Sequence, residues 1–247
     1  VISASSTRRW VNCALSARLP QEPDDPGPAA KIGTRFHSLI EERITAGKWV
    51  PLEPLDEHFE PPLRAGLEWL NANIQEPCEV LVEQAYELAP LGGYEPVPGK
   101  REPHWRDAIS SKSLGKIAHR SYPDAYARVY GTADVVVLGK DSVHIIDWKT
   151  GQKSKDHPAQ IRTLSLMVAE ERKATIAKSS AVYVNLKTSK VTEQTEVLDS
   201  FDLHVHAGAI VSTMKDIIAT GHPEPVPGDY CFHCPAIGCP IKAKPKY

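Results

Sequence analysis

Apolar residues recur along this chain with two different periods, and each change of period marks an element. Ile32, Phe36, Leu39, Ile40 and Ile44 fall three or four apart, which predicts a helix over 29–46 with Gly47 as its stop. Trp10, Val11 and Leu15 give residues 3–20 a shorter helical face with Ser3 or Ser5 as N-cap, and the polar, proline-rich 21–28 reads as a loop. Leu63, Leu67 and Leu70 predict a second helix over 61–74. Strand patterns follow at 79–88, where Val80, Val82 and Ala85 are available for burial, and at 129–138 and 142–148, joined by a turn at 139–141. Beyond these, 158–173 reads as a helix and 179–186 with 191–198 as a hairpin. Asp202 is expected to cap a helix to Ala219, with Gly221 ending it, and Pro223, Pro225 and Pro227 then extend the chain toward the C-terminus.

Between the strand patterns, residues 90–128 break both periods with Pro90, Gly92, Gly93, Pro96, Pro98, Gly99 and Pro103. From Lys100 to Arg128 there are seven Lys or Arg against three Asp or Glu. This stretch reads as a basic insertion between two strands, either a functional loop or a solvated excursion. Trp105 and Tyr122 within it are candidates for base stacking, or for apolar packing.

Composition narrows the classes. The 247 residues suffice for a full hydrophobic core, so one large domain over 1–247, or one domain with an appendage, is expected. A net charge of -2 gives no long-range attraction for a polyanion, and any nucleic-acid binding must come from a local basic surface. Apolar runs such as 135–138 are too short to span a bilayer, and the N-terminus lacks a signal-peptide core, so a cytoplasmic enzyme with no membrane partner is expected. The start at Val1 without methionine is expected to reflect trimming or renumbering of a few residues.

The chemistry gathers at the ends of two strands. Asp134 and Asp147 would offer oxygen ligands to magnesium or manganese, and such an ion activates water and offsets charge on a phosphorane-like transition state. Lys149, two residues past Asp147, projects to the same face and could orient the water or neutralise charge. Glu83, in the preceding strand, reads as an exposed strand residue, with an outer-shell carboxylate as the alternative.

Gly131-Thr132-Ala133-Asp134 followed by Asp147-Trp148-Lys149-Thr150-Gly151 resembles the PD-(D/E)XK nuclease superfamily, and within it the RecB-like branch. The resemblance implies an α/β restriction-endonuclease-like core, a central mixed β-sheet flanked by helices. It extends to Gly33-Thr34-Arg35-Phe36-His37, which matches the branch's Gly-x-x-x-His helix and implies His37 as a metal ligand. Gln160 matches the branch's Gln-x-x-x-Tyr motif and would support the lysine, but Leu164 stands where tyrosine is expected, so the tyrosine's role does not carry over.

Five cysteines are present, three of them as Cys231-x2-Cys234-x4-Cys239 in the last 17 residues. An odd count in a chain without an export signal favours metal or cluster ligation over disulfides. A fourth ligand is needed, and Cys13 is the best candidate; zinc would accept the same set, with His233 or His222 able to replace Cys13. Cys78 reads as a buried small hydrophobe. The run from Pro227 to Pro240 resembles the C-terminal pattern of iron-sulfur members of the RecB-like branch. That likeness implies a 4Fe-4S cluster on Cys13, Cys231, Cys234 and Cys239, stapling 1–28 and 221–247 into a clasp against the N-terminal helix. Ser3-Ala4-Ser5-Ser6 through Cys13 is further similar to phage-encoded relatives of the CRISPR-associated exonucleases. The expected function is a metal-dependent DNA exonuclease or end-processing nuclease, in the host cytoplasm if phage-encoded, with recombination or phage replication proteins as possible partners. The alternative is a non-catalytic DNA-binding or recombination scaffold, which the clustered carboxylates disfavour because buried charge is costly without a cation.

Overall fold

The computed structural model describes residues 2–22, 27–74, 78–91, 105–116, 128–154, 156–219 and 223–241. Seven strands form one sheet: β1 (Ile2–Ser3), β2 (Glu79–Pro90), β3 (Ile109–Lys116), β4 (Val129–Leu138), β5 (Ser142–Lys149), β6 (Ile176–Val184) and β7 (Val191–Leu198). Seven helices accompany them: α1 (Thr7–Asn12), α2 (Leu15–Arg18), α3 (Pro28–Ala46), α4 (Glu60–Asn73), α5 (Trp105–Ala108), α6 (Asp156–Arg172) and α7 (Ser200–Ile218). The strand order is β3-β2-β4-β5-β6-β7, with β1 pairing β4. β5 and β6 run parallel, as do β1 and β4, and the other neighbours are antiparallel, so the sheet is mixed as expected.

Both faces of the centre are covered, which explains why β4 and β5 read as apolar runs rather than clean alternations. Ala133, Val136, Val143 and Ile145 pack on α6 and α7, while Val135, Val137, Ile146 and Trp148 pack on α3 and α4. Ile145 and Ile146 are both fully buried, one on each side, and each contributes about 1.5–3 kcal/mol.

Several expected boundaries move for local reasons. The helix expected over 3–20 is broken: a 3-10 turn at Ala4–Ser6 leads into α1, and Cys13, in an extended conformation, separates α1 from α2. α7 is capped by Asp199 rather than Asp202, because the Asp199 side chain accepts from the backbone N–H of Phe201 and Asp202 while Asp202 returns a bond to the N–H of Asp199. The helix then ends at Ile218, and Gly221 lies outside the described residues. Gly47 does stop α3, taking the left-handed φ of 62° that favours glycine.

The stretch 90–128 is more than an excursion, since it supplies α5 and the edge strand β3. Its described cations are also matched. Lys112 and Arg128 pair with Glu87, Lys116 pairs with Glu41, and Arg106 pairs with Glu170. Tyr122 and the side chain of Trp105 lie outside the described residues. Among the described residues no helix is long and apolar enough to cross a membrane.

Candidate active site

β4 changes partner along one edge, and the site occupies the change. Its first residues pair with β1 at Val129 and Tyr130, and its last pair with β5 from Val135 to Leu138. Between these ladders the backbone N–H of Trp148 turns to a side chain, donating to Asp134 Oδ2 at 2.7 Å. The β4–β5 register, with Val135 opposite Ile146, places Asp134 opposite Asp147 one step further on. On the other flank, Val82 pairs Val135 and Gln84 pairs Ala133, which places Glu83 opposite Asp134. Three carboxylates therefore stand in one cross-strand row over β2, β4 and β5. Like charges directly opposite are destabilising, so the row is built for a cation.

Glu83 also has a φ of 51°, a left-handed backbone for a non-glycine residue inside a strand. Strain of this kind costs about 1–3 kcal/mol and gathers at functional sites. Ligand atoms of His37, Glu83 and Asp134 all lie within 4.8 Å of one another. For an octahedral ion with oxygen ligands at about 2.1 Å, ligand atoms are separated by roughly 3–4.2 Å, so the group fits a small divalent cation after modest closure. The two carboxylates suit magnesium or manganese by donor type, whereas the imidazole is a ligand more typical of zinc, iron, copper or nickel. The expectation that Glu83 is simply an exposed strand residue is thus corrected: it is half-buried and belongs to the tightest ligand group among the described residues.

Asp147 lies in the same cavity but leans toward two polar partners. Lys149 Nζ is 2.5 Å from Asp147 Oδ2, the Gln160 amide donates to Asp147 Oδ1 at 3.2 Å, and Lys149 donates to Gln160 Oε1 at 3.2 Å. Gln160 on α6 thus fixes both ends of the Asp147–Lys149 pair. Burial, and then the negative charge of Asp134, push Asp147 up to about 6. Asp134 is moved the other way: burial opposes its charge, but His37, Lys149 and the Trp148 N–H hold it below the usual carboxylate range. His37, whose Nδ1 is 3.5 Å from Asp134, is raised because that carboxylate outweighs the effect of burial. One row of acids is therefore split into an ionised member and a more easily protonated one.

The motif glycines are explained by close approach. A Cβ on Gly33 would meet Thr150 Oγ1 at 2.8 Å, so the absent side chain lets α3 bring His37 down beside the strand carrying Lys149. At Gly131 a Cβ would meet Leu164 Cδ2 at 2.6 Å and Ala4 Cβ at 2.8 Å. Leu164 is fully buried there and supports the floor of the site from beneath. The cavity itself, about 280 Å³, is lined by His37, Asp134, Asp147, Lys149 and Gln160, and by Ser3, Ala4 and Ser5 from the N-terminus. The serine hydroxyls were legible only as a possible helix cap. Their place beside the carboxylates comes from the two-residue pairing of β1 with β4.

A family model of the PD-(D/E)XK nuclease superfamily matches residues 1–239. The chain belongs to this superfamily. Its mixed sheet flanked by helices is that of a nuclease fold. A search of curated protein sequences gives no match. Among solved structures, this nuclease is similar to SSO0001, with 14% identity over 98% of this chain and 87% of that one and a TM-score of 0.38. It is also similar to an alkaline exonuclease (LHK-Exo) from Laribacter hongkongensis, with 11% identity over 87% of each chain and a TM-score of 0.30.

At the termini, the C-terminal cysteine segment is bonded to the N-terminal one. Glu22 N donates to Pro235 O at 2.8 Å, Ile237 N donates to Pro20 O at 2.7 Å, and Gln21 and Ala236 form an antiparallel bridge. Arg8 pairs with Asp229, and Tyr230 donates to Asn12 O at 3.4 Å. Cys13 and Cys234 are buried, Cys231 and Cys239 half-buried, and these four form no disulfide. Tyr230 is raised by burial and then by the nearby Cys13 and Cys231. Cys78 is half-buried and packs against the α3–α4 side of the core. The side chain of His233, and all of His222, lie outside the described residues.

Proposed function

We propose that this nuclease is a metal-dependent deoxyribonuclease working at strand ends, as an exonuclease or end-processing enzyme. The observation that carries the reading is the His37, Glu83 and Asp134 group within 4.8 Å, set beside the Asp147–Lys149–Gln160 chain. His37, Glu83 and Asp134 would hold magnesium or manganese, with Asp147 as the next oxygen in the row. When bound, such an ion supplies an activated water and offsets charge on the transition state. Lys149 brings a cation to the same cavity, where it neutralises charge growing on a phosphate oxygen. Gln160 keeps that ammonium from collapsing elsewhere, and the hydroxyls of Ser3 and Ser5 offer donors across the cavity. DNA as substrate follows the superfamily, and the preference for ends follows the RecB-like motifs, as does an expected place among recombination or phage replication proteins.

End-labelled single- and double-stranded DNA incubated with manganese, and then with chelator, tests this directly. Asp147→Ala should abolish chelator-sensitive cleavage while near-ultraviolet circular dichroism stays native. Undiminished cleavage by that variant would sink the assignment.

A 4Fe-4S cluster on Cys13, Cys231, Cys234 and Cys239 is the second part of the proposal, joining the chain's ends into a clasp. The inter-terminal hydrogen bonds support it, among them the one from Tyr230 to Asn12, the residue before Cys13. Tetrahedral zinc, with Zn–S bonds of about 2.3 Å, needs sulfurs roughly 3.8 Å apart. Zinc on the same thiolates is the alternative. Iron and sulfide analysis of anaerobically purified protein, with absorption at about 400 nm, would support the cluster. Stoichiometric zinc without iron in that preparation would refute it.

A further inference from the structure

Past the carboxylate row, the ends of β5 and β6 and the start of β7 enclose a second cavity of about 420 Å³. It opens at Thr150 and Gly151, the residues that directly follow Lys149, and is bounded on its far side by Asn185 and Lys190. Lys153 reaches into it, its Nζ lying 5.5 Å from the centroid of the Tyr183 ring. Tyr183 is held in place by a 2.9 Å hydrogen bond between its hydroxyl and His157 Nδ1.

Two facts set this cavity apart from an ordinary surface hollow. Its lining has two lysines and no carboxylate. Among the described residues neither Lys153 nor Lys190 forms an ion pair, whereas the described cations of 105–116 are matched by acids. The second fact is register. Lys149 pairs with Tyr183 on β6, and Tyr183 with Thr192 on β7, so the cavity lies in line with the site across the sheet. Two strand spacings amount to roughly 10 Å.

We propose that this groove holds the phosphodiester backbone of the substrate strand flanking the scissile bond, with Lys153 and Lys190 each neutralising one phosphate. The assignment rests on the nuclease reading above and adds the path that the strand takes away from the carboxylates. Tyr183, being buried, serves as a wall under Lys153 and not as a stacking platform.

The test is the salt dependence of binding. Fluorescence anisotropy would follow a labelled single-stranded oligonucleotide, with full-length protein carrying Asp147→Asn to silence cleavage. Neutralising Z phosphates of a single strand gives a slope of log K against log salt near -0.7Z, so removing both lysines should flatten it by about 1.4. The double variant Lys153→Ala/Lys190→Ala is expected to show that change with an unaltered melting temperature. Lys140→Ala, an exposed lysine in the β4–β5 turn, should leave the slope at the parent value. Equal slopes in the double variant and its parent would overturn the groove. Chelator-sensitive cleavage by the unsubstituted protein is scored separately. Its absence refutes the nuclease reading whatever the slopes, and its presence with equal slopes refutes the groove alone.

Discussion

Gly131→Ala isolates the packing beneath the site from the chemistry within it. The new Cβ would sit 2.6 Å from Leu164 Cδ2 and 2.8 Å from Ala4 Cβ, where ordinary contact begins at 3.4 Å. A displacement of nearly 1 Å is required, and Leu164 and Ala4, buried at 0% and 1% exposure, belong to a close-packed interior that resists it. Overpacking of this kind costs about 1–3 kcal/mol. With a urea dependence of about 2–3 kcal/mol/M, the unfolding midpoint should fall by roughly 0.5–1 M. Leu164→Ala alone should lose about 2–5 kcal/mol by leaving a cavity. Because each change relieves the other, the double variant should be more stable than the sum of the two losses implies, by at least about 1 kcal/mol. Gly131 lies three residues before Asp134 on the same strand, so cleavage should also fall in Gly131→Ala and partly recover in the double variant. A midpoint unchanged by Gly131→Ala, or losses additive within about 0.5 kcal/mol, would refute the close-approach explanation.

Glu83→Gln removes a charge from the ligand group and should weaken manganese binding by about 10-fold or more in isothermal titration, on the scale seen for groups that hold metal ligands; unchanged affinity would show that Glu83 is no ligand. Gln160→Leu removes the side chain that bonds both Lys149 and Asp147, so kcat should fall by about 10-fold or more with little change in KM. A change confined to KM would instead make Gln160 a substrate-binding residue. His144 is pulled down to about 4 by burial and then by Lys178, well below its ordinary 6.5. The neutral form is therefore the one favoured by folding, and its contribution is complete above pH 6.5 and is lost as pH falls toward 4, at up to about 1.4 kcal/mol per pH unit. Denaturation series at pH 7 and pH 4.5 should show a smaller acid loss in His144→Gln than in the unsubstituted protein, and equal losses would contradict this.

Asp134, Asp147 and Lys149 could be located from the sequence because apolar strand patterns fix which side chains share a face, and only a few neighbouring residues set that pattern. The same holds for α3, whose spacing and glycine stop are local. β3 escaped notice because Ile109-Ser110-Ser111-Lys112-Ser113-Leu114-Gly115-Lys116 carries little apolar alternation, and an edge strand needs little, since its pairing to β2 is supplied by backbone hydrogen bonds. Asp199 competed with Asp202 for one cap, a choice made by hydrogen-bond geometry over three residues.

What the chain determined by itself was its elements and the residue types of its chemistry. Only the tertiary structure decided that Glu83 stands opposite Asp134, that Ser3 and Ser5 reach the same cavity, and that the two termini are bonded together. Those contacts join residues some 50 to 220 positions apart, and they depend on strand register, a strained φ at Glu83 and the close packing of Gly33 and Gly131, none of which leaves a periodic trace in the sequence.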